Sequence, residues 1–304
     1  MNTTADRSRI AVIGLGSIGG IVAGCLHDAG RHDIVACTRR PVDRLTLERP
    51  DKTVQAPLRT LTDPSTAAPV DWVLVCTKVP QTPSIAPWLA KLCDSSTRVA
   101  TLQNGIGHAA RLQPYVGAAR VVPTIVYYNG ERLAPDHVRL RPVGAHDLAV
   151  ADDADGRDLL RLLEGTTLRV HASDDFPTLL WRKLLINAIA NPVTALTLQR
   201  QVVFRRADIQ RLCREILEEA AMVGRAEGAW LAPDEPDRII EQLLTYPPEA
   251  GTSMYFDRVA GRSLEVEALT GAIVEAGARH GIATPLNRAF AALLRAVSDA
   301  AESQ

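Results

Sequence analysis

The chain has 304 residues, of which 46% are apolar and 23% are charged, and its formal net charge is −1. This length suits two domains that each bury a core, and the composition excludes general disorder. A net charge this close to zero gives no support for a nucleic-acid-binding or anionic-membrane-binding surface, so neither partner is expected.

The cysteines indicate a reducing compartment. They are scattered, odd in number and never form a C-x-x-C pair, which is typical of a cytosolic protein. Residues 1–9 are polar and lack the apolar core of a signal peptide. No apolar run approaches the length that crosses a bilayer. We therefore expect a cytoplasmic protein.

The first half of the chain alternates short β-branched runs with helix-like segments. Several of these runs are continuously apolar, as in parallel strands that are covered on both faces. This alternation of strands and helices predicts an α/β fold with a doubly wound sheet of the Rossmann type. The predicted strands are residues 10–13, 34–37, 72–76, 99–102, 121–126, 138–140 and 168–170, with a helix over 157–163.

The pattern changes to helices alone from about Asp174. We therefore expect a doubly wound domain over residues 1–173 and an all-helical domain over residues 174–304. The predicted helices of the second domain are residues 176–198, 207–227, 236–245, 263–280 and 285–298.

A glycine-rich turn follows the first predicted strand directly and opens a helix. Gly14 permits the tight turn, Gly16 lets a pyrophosphate approach the backbone, and Gly19 allows close helix–strand packing. The helix N-terminus adds unpaired N–H groups and a partial positive charge. The turn predicts a dinucleotide site, and the alternative is a glycine-rich turn without a ligand. The candidate cofactor residues here are Gly14, Leu15, Gly16, Ser17, Ile18 and Gly19.

Arg39 and Arg40 follow the second predicted strand. An NAD-preferring site normally places an acidic residue there to accept a hydrogen bond from the ribose 2′-hydroxyl. An arginine instead offers a planar set of donors that suits a 2′-phosphate. Arg39 therefore favours NADP(H) over NAD(H), unless the two arginines are a solvated surface pair.

Two more polar residues, Lys78 and Asn104, follow later predicted strands. Ligands of open α/β sheets bind beyond these carboxyl ends, so both residues are candidates for cofactor binding. Alternatively, Lys78 is a surface lysine and Asn104-Gly105 is an ordinary turn.

Three polar side chains, those of Lys183, Asn187 and Asn191, lie four residues apart in an apolar run with helical periodicity. This spacing places them along one face of a helix, where burial is costly unless they are paired. A ligand with a carboxylate and a carbonyl would suit this polar stripe. The alternative is a core helix with a snorkelling lysine and two asparagines bonded to the backbone.

The polar stripe suits carbonyl reduction. A reduced nicotinamide donates hydride to a carbonyl carbon, and Lys183 can stabilise and protonate the developing alkoxide. Glu265 is a candidate to hold the lysine, although it could instead be an exposed carboxylate in the first turn of a helix capped by Ser263. No histidine or cysteine cluster has metal-binding spacing, and no serine-hydrolase or P-loop motif is present, so no metal is expected.

Over nearly its whole length the sequence resembles the ketopantoate reductase (2-dehydropantoate 2-reductase) family. The matching blocks are the Gly14–Gly19 turn with Arg39, Lys78, Asn104-Gly105-Ile106-Gly107, the run from Trp181 to Leu196, Thr252-Ser253-Met254 with Asp257, and the stretch from Glu265 to Gly271. The resemblance implies an NADPH-dependent oxidoreductase of pantothenate biosynthesis that reduces a small 2-keto acid, ketopantoate, to pantoate. Residues 1–173 would be the NADP-binding Rossmann domain and residues 174–304 the helical domain with the catalytic and substrate residues.

The resemblance also implies a role for each matching residue. Lys183 would be the general acid, and Glu265 would hold its ammonium group. The substrate's hydroxyl and carboxylate would be bound by Asn187, Asn191 and Ser253. The cofactor would be contacted by Asn104 near the nicotinamide and by Arg39 and Lys78 at the adenosine phosphate.

The sequence departs from the family pattern in the substrate-binding residues. Gln201 and its neighbours occupy a region where the family usually carries an Asn-Gly pair, and Ala250 lies where some members have another asparagine. A site that binds a hydroxyl discriminates less well when its partners change. One alternative is therefore a relative that reduces a different branched 2-keto acid. A second, of a different class, is a sensor that binds NADP(H) without turnover, although the presence of Lys183 and Glu265 argues against it. A homodimer is compatible with either.

Overall fold

The structure, a computed structural model, describes residues 7–302, with the side chains of residues 7–300. Residues 1–6 of the polar N-terminal segment lie outside this range. The chain divides into two compact units. The first comprises the described residues up to Gln103 together with Gly107–Phe176, and the second comprises Asn104–Ile106 and the described residues from Pro177 onward. The functional division at residues 173 and 174 stays a prediction.

The first unit is an α/β structure. Its strands are β1 (Arg9–Ile13), β2 (Asp33–Cys37), β3 (Arg44–Glu48), β4 (Thr53–Pro57), β5 (Arg59–Leu61), β6 (Trp72–Val75), β7 (Arg98–Thr101), β8 (Arg120–Pro123), β9 (Ile125–Val126), β10 (Asn129–Ala134), β11 (His137–Arg141), β12 (Leu148–Ala151) and β13 (Val170–Ser173). Its helices are α1 (Ser17–Ala29), α2 (Ala86–Leu92), α3 (His108–Val116) and α4 (Ala154–Leu163), and a 3-10 helix spans Val79–Ile85.

A six-stranded sheet in the order β5-β2-β1-β6-β7-β8 forms the centre of this unit. Every neighbouring pair in it is parallel. Strand β6, one of the two central strands, is buried along its whole length. Its alternate side chains belong to two hydrophobic clusters, one of which includes residues of α1 and the other residues of α2 and α3. The predicted doubly wound Rossmann sheet is confirmed.

Two smaller sheets, with orders β10-β11-β3-β4 and β13-β12-β9, complete the first unit. Helix α1 packs against β3 and β11. The predicted strand over residues 121–126 is wrong in its continuity, because β8 pairs with β7 while β9 pairs with β12. The chain changes sheets at Thr124, next to Pro123, which has no N–H to continue the ladder. The predicted strand over residues 168–170 begins only at Val170.

The second unit is helical, as predicted. Its helices are α5 (Phe176–Thr197), α6 (Ala207–Ala226), α7 (Glu235–Leu244), α8 (Ser253–Val259), α9 (Thr270–Arg279) and α10 (Pro285–Glu302), and a 3-10 helix spans Gln201–Arg205. Within the described part of the chain, no helix combines the length and apolarity needed to cross a membrane.

The predicted helix over residues 263–280 is wrong in its first seven residues. Helix α9 begins only at Thr270, and residues 263–269 form an irregular segment. The backbone N–H of Leu264 donates to Ser298 Oγ of α10 (3.0 Å), and the N–H of Gly271 turns back to the carbonyl of Val266 (2.8 Å). These bonds replace the helical pattern and hold the segment against α10.

A buried carboxylate binds the N-terminus of α10. Glu219 of α6 accepts hydrogen bonds from the backbone N–H groups of Leu286 (2.9 Å) and Asn287 (3.0 Å) and from Asn287 Nδ2 (2.9 Å). The first-turn N–H groups of a helix have no partner within the helix and favour a negative charge. Glu219 therefore links α6 to α10 as a cap supplied from another helix.

We expect Glu219→Gln to lower the free energy of unfolding by about 1–3 kcal/mol, because an amide NH₂ would replace one acceptor oxygen at buried donors. Urea denaturation followed by circular dichroism measures the change. Glu218→Gln is the matched control, because Glu218 is the exposed neighbour on the same helix. Equal stability of the two variants would contradict the capping role.

Candidate active site

The glycine turn leaves no room for side chains at two of its positions. Gly14 has φ +92°, and a Cβ added there would lie 2.8 Å from Thr77 Cγ2. A Cβ added at Gly19 would lie 1.9 Å from the carbonyl oxygen of Gly14. Gly16 differs, because a Cβ added there meets no protein atom within 4 Å. Side chains are therefore excluded by protein atoms at Gly14 and Gly19, whereas at Gly16 the space beside the backbone is unoccupied by protein.

The start of α1, which the glycine turn forms, has features that suit a bound anion. Gly16 is the N-cap of α1 and supplies no side-chain hydrogen bond, and the first turn contains no acidic residue. Leu15 is buried, Ser17 begins the helix, and the carbonyl of Ile18 accepts a hydrogen bond from Tyr128 (3.1 Å). A helix N-terminus without its own cap binds phosphate well.

The arginine pair lies beside this turn in the first unit. The N–H of Gly14 donates to the carbonyl of Cys37 (3.2 Å), the last residue of β2. Arg39 follows two residues later and is exposed, as is Arg40. Thr38 Oγ1 donates to the carbonyl of Arg40 (2.7 Å) and fixes the bend between them. The end of β2 thus offers guanidinium groups next to the glycine turn, which fits a 2′-phosphate.

Lys78 lies at the N-terminus of the 3-10 helix after β6, where it is half-buried. The segment is held by Gln103, whose Nε2 donates to the carbonyl of Thr77 (3.1 Å) and to Thr82 Oγ1 (3.2 Å). Neutral His108, whose pKa burial lowers to about 4, donates from Nε2 to the carbonyl of Gln103 (3.0 Å). Thr77 Oγ1 is buried without a partner among the described residues. A buried hydroxyl without a protein partner, next to Gly14, is suited to a hydrogen bond with a bound cofactor.

The three residues of the polar stripe lie on α5 of the second unit. Lys183 and Asn187 are partly exposed, and Asn191 is 3% exposed. Desolvation by burial lowers the pKa of Lys183 to about 8, since apolar surroundings disfavour the ammonium form. On the same helix, the side chains of Leu184, Leu185, Ala188 and Ile189 belong to the hydrophobic core of the second unit.

Glu265 is buried (6% exposed) in the irregular segment before α9. The alternative of an exposed carboxylate at a helix start is therefore wrong, because the segment does not form a helix. Asn104 Nδ2 donates to Glu265 Oε2 (3.1 Å), and Asn104–Ile106 pack within the second unit. The structure thus brings together two predicted site residues that lie 161 positions apart.

Ser253 is exposed at the first position of α8. The preceding residue, Thr252, is the N-cap, and its Oγ1 accepts a hydrogen bond from the N–H of Tyr255 (3.1 Å). Thr252 Oγ1 also lies 2.7 Å from Thr194 Oγ1 of α5. Sequence reasoning missed this bond, because its partners are 58 residues apart; the only local signal was a threonine directly before a helix.

Gln201 and Ala250, where the sequence departs from the family pattern, are neighbours. The N–H of Gln201 donates to the carbonyl of Ala250 (3.0 Å). Gln201 is 6% exposed, and its Oε1 has no hydrogen-bond partner within the described part of the chain. A buried amide oxygen without a partner is costly, so it is suited to a ligand hydroxyl or a water. Within residues 7–300, no cluster of three or more histidine, cysteine, aspartate or glutamate side chains could hold a metal ion.

Models of known protein families match the sequences of both units. A family model described as ketopantoate reductase PanE/ApbA matches residues 10–152, and the model of its C-terminal part matches residues 175–298. A 2-dehydropantoate 2-reductase from Caulobacter vibrioides is 38% identical over 289 residues, covering 95% of this chain and 99% of that protein. One from Mycobacterium tuberculosis is 37% identical over 293 residues, covering 95% and 98%.

Solved structures agree with the sequence matches. A ketopantoate reductase from Ralstonia eutropha superposes with a TM-score of 0.87 at 30% identity, covering 97% of this chain and 99% of that one. A ketopantoate reductase from Staphylococcus aureus, described as dimeric, has a TM-score of 0.85 at 26% identity, with coverage of 96% and 99%. The resemblance seen in the sequence blocks is confirmed. The chain belongs to the ketopantoate reductase family.

Proposed function

We propose that this protein reduces 2-dehydropantoate (ketopantoate) to pantoate with NADPH, a step of pantothenate biosynthesis. The observation that carries the proposal is the polar stripe on α5, where Lys183 has a pKa lowered to about 8 and lies above Asn187 and Asn191. An amine with this pKa can act as an acid near neutral pH. Relatives with the name 2-dehydropantoate 2-reductase match over nearly the full length.

NADPH, when bound, would supply a hydride to the keto carbon. As the new C–H bond forms, the electrons of the C=O double bond move to the oxygen, which must be protonated. In the proposal Lys183 first donates a hydrogen bond from Nζ to this oxygen and then transfers the proton to it. The product is the 2-hydroxy acid, and Lys183 is left as a neutral amine that takes up a proton from water.

The other residues of the second unit hold the substrate and the acid. Asn187 and Asn191 offer amide groups along the same helix face as Lys183, and Ser253 offers a hydroxyl at the start of α8. Together they suit the substrate's carboxylate and hydroxyl. Glu265, held by Asn104, is proposed to steady the ammonium group of Lys183.

The first unit supplies the residues that would hold NADP(H). The glycine turn and the uncapped start of α1 would bind the pyrophosphate, and Arg39 with Lys78 would bind the phosphate of the adenosine half. Because one dimeric relative is known, a homodimer belongs to this proposal, as does a cytoplasmic location, which matches the free state of all five cysteines.

The wild-type protein is expected to oxidise NADPH when ketopantoate is added, measured by absorbance at the nicotinamide band. Lys183→Ala is expected to lower kcat/KM by about 10²–10⁴-fold, because the alkoxide loses its proton donor. A general acid works only when protonated, so the wild-type kcat/KM should be constant below the pKa of about 8 and fall about tenfold per pH unit above it.

Lys91→Ala is the matched control, because Lys91 is an exposed lysine on α2. Near-wild-type turnover by Lys183→Ala would overturn the assigned chemistry. Binding of NADPH without oxidation of the cofactor by any 2-keto acid would instead support the sensor alternative.

Gly16→Ala is expected to fold normally and to raise the Kd for NADPH by about tenfold or more, which corresponds to about 1.4 kcal/mol. The added methyl meets no protein atom within 4 Å, so its effect should come from the bound pyrophosphate. Fluorescence titration with NADPH measures affinity, and thermal unfolding measures stability. Gly19→Ala gives the contrast, since its methyl would collide with the Gly14 carbonyl and destabilise the protein. Unchanged affinity in Gly16→Ala would place the pyrophosphate elsewhere.

The buried amide of Gln201 provides the test of substrate identity. We expect ketopantoate to be preferred over 3,3-dimethyl-2-oxobutanoate, which has the same carbon skeleton without the hydroxyl. Gln201→Leu should reduce this preference about tenfold or more, because the hydroxyl loses a buried partner. The ratio of the two kcat/KM values is the measurement, and Gln199→Leu at a nearby exposed residue is the control. A higher kcat/KM for another branched 2-keto acid would favour the alternative substrate.

A further inference from the structure

A continuous chain of hydrogen bonds joins the start of α8 to α5. Thr194 Oγ1 is 2.8 Å from the carbonyl of Ala190 and 2.7 Å from Thr252 Oγ1, and the N–H of Tyr255 is 3.1 Å from Thr252 Oγ1. Thr194 is completely buried. A buried hydroxyl with this many partners is held in one orientation.

The direction of each bond follows from the groups involved. A carbonyl can only accept, so the single proton of Thr194 is directed at the carbonyls of Ala190 (2.8 Å) and Asn191 (3.3 Å). Thr252 must then donate its own proton to Thr194, while it accepts from the N–H of Tyr255. The chain therefore runs from Tyr255 through Thr252 and Thr194 to Ala190, and each bond polarises the next.

The two ends of this chain lie beside two residues of the proposed substrate site. Ala190 directly precedes Asn191, and Thr252 directly precedes Ser253. Pro192 lies inside α5 at the same turn and has no N–H for the helix ladder. α5 therefore lacks the bond that residue 192 would donate to the carbonyl of Ala188. Thr194, two residues later, adds side-chain bonds to the carbonyls of Ala190 and Asn191.

We propose that Thr194 is a positioning residue for substrate binding, which acts through Thr252 to fix Ser253 relative to Asn191. This inference rests on the proposed function. The acid Lys183 lies two helical turns from Asn191 on the same stripe, and the cofactor residues of the first unit take no part in the chain. Loss of the Thr194 hydroxyl should therefore affect the keto acid and spare both NADPH binding and the proton donor.

α5 itself contains a matched control. Thr197 Oγ1 donates to the carbonyl of Val193 (2.7 Å), which is the same bond to the fourth preceding residue that Thr194 makes. Thr197 is exposed, and the partner 58 residues away belongs to Thr194. Thr197 Oγ1 also accepts a hydrogen bond from the N–H of Gln199 (3.3 Å). Thr194→Val and Thr197→Val thus both remove a hydroxyl bonded to the carbonyl four residues earlier, and of the two Thr194→Val alone removes the connection to Thr252.

The experiment measures KM for ketopantoate, KM for NADPH, kcat and the pH profile for wild type, Thr194→Val, Thr194→Ser and Thr197→Val. We expect Thr194→Val to raise KM for ketopantoate about fivefold to tenfold, with the other three quantities within about twofold of wild type. Thr194→Ser keeps the hydroxyl and should restore KM, and Thr197→Val should resemble wild type. Thermal unfolding sets a temperature at which all variants are folded.

Equal KM values for Thr194→Val and Thr197→Val would overturn the inference, as would a parallel rise in KM for NADPH. Wild-type turnover of ketopantoate decides the proposed function separately. If the wild type reduces a different 2-keto acid, the same comparison with that acid still decides the role of Thr194. If it reduces none, both proposals are wrong.

Discussion

The cost of burying polar groups in an apolar helix constrains the whole second unit. Lys183 and Asn191 lie on α5, whose leucine, isoleucine and alanine side chains belong to the hydrophobic core of the second unit, and removing an amine or an amide from water is unfavourable. This desolvation lowers the pKa of Lys183 to about 8. The same desolvation that destabilises the ammonium makes it a better proton donor. Desolvation at this position thus costs folding free energy and makes the ammonium group of Lys183 more acidic.

Hydrogen bonds from distant segments make this arrangement rigid. Asn104 reaches Glu265, Thr252 reaches Thr194, and Glu219 caps α10. The first bond joins a loop to the irregular segment before α9, and the other two join a helix start to a packed helix. The first N–H groups of a helix would otherwise lack partners. The irregular segment before α9 can therefore present a buried carboxylate without forming a helix. Rigid placement of such groups is what reduces the reorganisation needed during a reaction.

The predictable parts of the molecule are those with a local signal. Continuous apolar strands, the glycine turn and the four-residue spacing on α5 each follow from short-range geometry, and the structure contains all three. Strand β3 was missed because only every second residue of it is buried and the sequence around it is polar and rich in arginine. The irregular course of residues 263–269 was missed because Ser263 and the acidic residues after it imitate a helix start. The hydrogen-bond partner of Leu264 in this segment is Ser298, which is distant in sequence.

The departures from the family pattern lie where they can change specificity without changing the chemistry. Gln201 belongs to a 3-10 helix after α5 and bonds through its backbone to Ala250, whereas Lys183, the proposed proton donor, belongs to α5 itself. Substituting side chains on a backbone-linked pair of loops changes which groups meet the substrate and leaves the helix that carries Lys183 intact. Because a buried amide that finds its hydroxyl partner discriminates strongly against a substrate that lacks one, the buried Oε1 of Gln201 would, in the proposed function, favour a hydroxylated keto acid over a purely apolar one.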